Sequence, residues 1–180
     1  MLNITIPKQE LFNEETNEFI DVDEKTICLE HSLVSISKWE SKWNKPFLSK
    51  EEKTAEETID YIKCMTITQN VDDKYYNYLT AKNIRDINAY IDSPMTATTF
   101  YDTRKNTGHK ETVTSELIYF WMISLNIPME CQRWHLNRLL TLIRICNIKN
   151  DSGKKMSRGE VMSRNAALNA ARRKKLNTRG

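Results

Sequence analysis

The apolar positions of this chain follow two rhythms, one helical and one alternating. The helical rhythm is densest over residues 115–146. From Leu117 to Leu125 only Ser124 is strongly polar, and from Trp134 to Cys146 the side chains Leu136, Leu139, Leu140 and Ile143 recur at helical spacing, with Leu142 and Ile145 widening the stripe. Pro128 cannot sit inside a helix but is well placed at the start of one, so the pattern predicts helices over about 115–126 and 129–147, packed as a buried hairpin. Residues 1–36 alternate instead: Leu2, Ile4, Ile6, then Phe19, Ile20, Val22, then Ile27, Leu29 and the run Leu33, Val34, Ile36. With acidic turns between them, these read as short strands or extended arms.

Other helices are expected between these regions. Trp39 and Trp43 lie four residues apart on a short helix that Pro46 ends. Ile59, Ile62 and Met65 mark a helix within 54–68, with glutamates near its amino end where the helix dipole favours them. Residues 72–79 and 80–91 predict two more, the second with Thr80 as N-cap. The pattern breaks over 92–114, where MTATTF reads as a short strand and RKNTGHK as an exposed loop. A last helix is expected to begin at Ser157, in capping-box register with Glu160, and to run to about Leu176. The expected fold is therefore mainly α (α+β). A helical core domain over 37–150 surrounds the central hairpin, a small acidic β cap occupies 1–36, and a basic helical arm occupies 151–180.

Composition narrows the class. At 180 residues and 39% hydrophobic content the chain can bury a core of its own. Glu116, Glu130, Arg133, Arg138 and Arg144 interrupt the central apolar run, which leaves no uncharged window of the roughly 18 to 20 residues a membrane span needs. The N-terminus has no basic-then-apolar leader pattern, so a cytoplasmic protein is expected. Four cysteines lie far apart without a CxxC pair and read as small buried hydrophobes. The net charge of +3 conceals an asymmetry: residues 151–180 carry +7 and the first 150 carry −4. Head-to-tail self-association is one use of such an asymmetry; a solvated charged face is the plainer one.

Candidate chemistry is sparse. No nucleotide-binding, nucleophile-elbow or zinc-protease motif occurs, and no local signature pairs one of the three histidines with an activated Ser or Cys. An enzyme is not expected. Cys28 and His31, with Cys131 and His135, have the spacing to supply four zinc ligands if the pairs met. A small thiol and a hydrogen-bonded imidazole pack in an apolar hairpin without metal, so no metal or cofactor is expected.

The candidate interaction residues are Trp39 and Trp43 as aromatic anchors and Arg133 and Arg144 on a polar strip with Asn137 and Thr141. Arg164, Leu168, Arg172, Arg173 and Leu176 on the basic arm complete the set. Charge alone lets that arm bind nucleic acid or an acidic protein groove, but it lacks interleaved aromatics for base stacking.

Five stretches read together carry a family resemblance. They are HSLVSISKWESKWNKPFLSKEEKT (31–54), IDYIKCMTIT (59–68), INAYIDSPMTATTF (87–100), SELIYFWMISLNIPMECQRWHLNRLLTLIRICN (115–147) and KKMSRGEVMSRNAALNAARRKKLNTRG (154–180). They resemble the tail assembly chaperones of long-tailed bacteriophages; the acidic N-terminal arm lies outside the matching stretches. The resemblance implies a non-catalytic protein of the host cytoplasm that keeps the tape-measure protein soluble while the tail tube polymerises around it. Two other readings stay open: a structural virion component of neck, tail or baseplate, and a nucleic-acid binder using the basic arm.

Overall fold

The computed structural model describes residues 1–13, 18–100, 112–152 and 158–176. The protein is mainly α with a small β component. Contacts divide it into two units, Met1–Arg144 and Ile145–Gly180.

In the first unit, β1 (Leu2–Ile6) pairs antiparallel with β4 (Lys25–Leu29), Ile4 opposite Ile27. Alternation puts Ile4, Ile6, Ile27 and Leu29 in the core while their neighbours stay wetter, the period-2 pattern expected of a sheet with one buried face. Between them, β2 (Gln9–Asn13) and β3 (Glu18–Val22) form a second antiparallel pair. The expected strands are therefore present up to Leu29.

Leu33, Val34 and Ile36 are not a strand. They open α1 (Leu33–Trp43), because Leu33, Ile36, Trp39 and Glu40 continue as one buried helical face. The Ser35 hydroxyl accepts the Ser32 N–H at 3.0 Å and donates to the Ser32 carbonyl at 2.8 Å, closing the first turn. Asn44, at φ 52°, ends the helix in the left-handed region, which Asn tolerates better than most residues.

Helix α2 (Ala55–Met65) starts on a reciprocal cap between Thr54 and Glu57, and α3 (Ala81–Asp92) on one between Thr80 and Asn83. Both match the expected helices. The segment Asp73–Tyr78 is a 3-10 helix. No strand forms over 95–100, and the predicted loop at 104–110 lies outside the described residues.

The central stretch differs most from expectation. Helix α4 (Ser115–Ser124) is followed by a left-handed Asn126 and then by a 3-10 turn, Met129–Arg133. Trp134 is extended, His135 bridges Ser32, and α5 begins only at Leu136, running over Leu136–Ser152. The Leu136 N–H is taken by the His31 carbonyl at 2.9 Å, so this tertiary bond replaces the turn that would have joined 129–133 to the helix. The main packing partner of α4 is α1, not α5. The residues around which the unit is built are thus 30–43: Glu30 N–H donates to the Met65 carbonyl, His31 and Ser32 meet 135–136, and α1 packs on α2 and α4.

In the second unit, α6 (Arg158–Leu176) is the basic arm. Its predicted Ser157–Glu160 capping box lies outside the described residues. Residues 165–173 are all exposed, consistent with an Ala-rich helix held by propensity with few large apolar side chains.

Candidate interaction surface

The two indoles that look like anchors are anchored inward. Trp39 is 1% exposed, and its Nε1–H donates to the Glu57 carbonyl at 2.9 Å. Its ring lies 6.2 Å from Trp43 and 5.2 Å from Phe47, which in turn lies 4.1 Å from Tyr61. Trp43 is half-buried and donates to Asp60 Oδ2 at 2.9 Å. Aromatic burial and a satisfied indole N–H make this a joint between α1 and α2. Trp39 is therefore unavailable to a partner.

Carboxylates complete the joint. Lys45 bonds Glu57 at 2.6 Å, and this bond, with the Thr54 amide, holds the Glu57 carboxyl below the usual carboxylate range. Burial pushes Asp60 up, but hydrogen bonds from Lys42 and Trp43 outweigh it and leave that carboxyl lowered. Glu40 has a different role. It is buried, and its two oxygens accept the N–H groups of Phe47 and Ser115, each at 2.7 Å. One carboxylate thus satisfies two backbone donors and ties the start of α4 to α1.

The zinc question has a geometric answer for the histidines. His31 and His135 do meet, with ring centroids 4.9 Å apart, but both nitrogens of His135 and Nδ1 of His31 are engaged elsewhere. His135 Nε2 lies 2.9 Å from the Tyr90 carbonyl and donates to it, while Nδ1 accepts the Asn137 N–H at 3.3 Å. His31 Nδ1 lies 2.5 Å from the Tyr61 hydroxyl. Burial, reinforced by His135, lowers the His31 pKa to about 4; burial also lowers that of His135. Among the described residues no group of three His, Cys, Asp or Glu side chains is placed to hold a metal.

The expected polar strip is divided. Arg133 lies in the 3-10 turn, outside α5. Asn137 is spent on the carbonyls of Ile91 and Ser93, and Thr141 on that of Asn137. The Arg144 guanidinium sits 4.1 Å from the centre of the Phe100 ring. On α6, Leu168, Arg172 and Arg173 are exposed, while the side chains of Arg164 and Leu176 lie outside the described residues.

An accessible apolar surface occurs instead on the helix expected to be buried. Helix α4 hides Ser115, Ile118 and Met122, but Phe120 is 61% and Ile123 67% exposed, one turn apart on the opposite face. Met129, just beyond the helix, is also exposed. Trp121, on a flank of α4, borders a groove of about 680 Å³ whose apolar walls include Leu48, Val113 and Leu140. The signal was present in the sequence. A helix apolar at every angle, as LIYFWMI is, buries only the faces its neighbours cover.

Comparison with protein-family models, with curated proteins and with solved structures returned no match.

Proposed function

We propose that this protein is a non-catalytic tail assembly chaperone that holds an elongated helical protein, the tape measure, through the open face of α4. The observation that carries the reading is the exposed Phe120 and Ile123 pair on α4, a helix that also lends Trp121, from another flank, to an apolar groove with Leu140. An exposed aromatic and aliphatic pair one turn apart on a helix fits the apolar stripe of an amphipathic partner helix. The resemblance of the quoted stretches supplies the identity of that helix.

Co-expression tests it. The soluble fraction of tape-measure fragments should rise with this protein, and F120S plus I123S should abolish the rise while leaving the thermal melt in place. No rescue across a set of fragments by a folded protein overturns the proposal. Recovery of the protein from purified virions in fixed stoichiometry moves it to the structural class.

A further inference from the structure

A second, independent site lies away from the residues used above. Where the 3-10 turn passes into α5, Arg133, Trp134, His135 and Arg138 line a cleft of about 260 Å³, closed on its other sides by Met1, Glu30, Tyr90 and Met95. The guanidinium carbon of Arg138 sits over Trp134, 4.1 Å from the ring centre. A cation–π contact of that kind holds the guanidinium in place and leaves its N–H groups able to form bonds. Arg133 is exposed, and among the described residues neither arginine is in an ion pair. His135 contributes shape and no charge, because its Nδ1 accepts the Asn137 N–H and burial disfavours protonation. The charged lining is thus two guanidinium donors and the terminal ammonium of Met1 against one carboxylate, Glu30.

We propose that this cleft binds an acidic peptide segment, taking one Asp or Glu carboxylate between Arg133 and Arg138 and an adjacent apolar side chain against Met95. A carboxylate matches the planar fork of a guanidinium with two parallel hydrogen bonds. The cleft has room for about one side chain, and Glu30 disfavours a strand carrying a charge at every step, so a peptide with spaced carboxylates fits better than a phosphodiester. The cleft needs neither the α4 face nor the basic arm.

The test is a two-dimensional NMR titration of the full chain with an acetylated, amidated Leu-Glu-Glu-Leu peptide, following the Trp134 indole and arginine Nε resonances. Saturable shifts at Trp134 and Arg138 are expected. R133Q and R138Q should each weaken the affinity at least about fivefold without altering the melt, as loss of a charge-assisted bond predicts. The Leu-Gln-Gln-Leu peptide and glutarate should give no saturation. The proposal is overturned by absent shifts, by shifts confined to residues 158–176, or by unchanged affinity in both variants. Saturation by glutarate reassigns the cleft to small carboxylates, and a stronger response of the same resonances to a deoxyoligonucleotide reassigns it to nucleic acid.

Discussion

Helices α1 and α4 are close in length and both rich in aromatic residues, yet they use them oppositely. In α1 the indoles of Trp39 and Trp43 turn inward, each with its N–H satisfied by α2. In α4, Phe120 and Ile123 point away from the core, and the helix is held through Ile118, Met122 and a backbone bond to Glu40. Side-chain type did not decide which helix was buried. The number of neighbours did: α1 is packed against α2, α4 and the turn at 129–133, whereas α4 rests chiefly on α1. Hydrophobicity measures what burial would contribute to stability; coverage by other elements decides whether the side chain is buried.

Substitutions sharpen this contrast. Trp39→Ala should have the largest effect, about 3 to 5 kcal/mol of lost stability in chemical denaturation, since it empties the α1–α2 joint and removes the indole bond to the Glu57 carbonyl. A near-neutral result would place Trp39 on the surface and erase the difference between the helices.

Acid should loosen the same inner side. His31 has a folded pKa of about 4 against 6.5 for the free side chain. The unfolded chain therefore takes up the proton first, so its contribution is full above pH 6.5 and falls as pH drops toward 4, reaching a loss of about 3 kcal/mol. His135 adds a change of the same sign. Denaturation midpoints measured between pH 7 and 4 check this, and H31Q should flatten the slope. The lowered carboxyls of Glu57 and Asp60 carry stability that is lost only at more acidic pH, as pH falls through their folded values.

Glu40→Gln should come next, at about 2 kcal/mol, because an amide can accept only one of the two N–H groups the carboxylate now holds. Hydrogen exchange at Ser115 should accelerate with it; unchanged exchange there would show that α4 is seated without Glu40. The smallest expected effect is that of F120S plus I123S on stability, within about 0.5 kcal/mol per site, as for exposed positions generally. A melt lowered as far as that of the Trp39 variant would mean that α4 is covered on both faces.

The local elements were legible because their causes are local. Alternation of Ile4, Ile6, Ile27 and Leu29 determined β1 and β4, and Thr54 and Thr80 with their partners three residues on determined where α2 and α3 begin. The fold class followed from the same rhythms. Sequence alone could not determine what depends on long-range partners. Leu33–Ile36 carries β-branched residues, but its apolar spacing also fits a helix, and packing of that face on α2 and α4 decided the choice. The turn at 129–135 has helical spacing, but the backbone of residues 31–32 claimed its hydrogen bonds. Glu40, which has no sequence signature, became a buried clamp only because the amides of Phe47 and Ser115 were brought to it. The candidate surface follows the same rule: its residues are plain in the sequence, but their exposure is a property of the elements that failed to cover them.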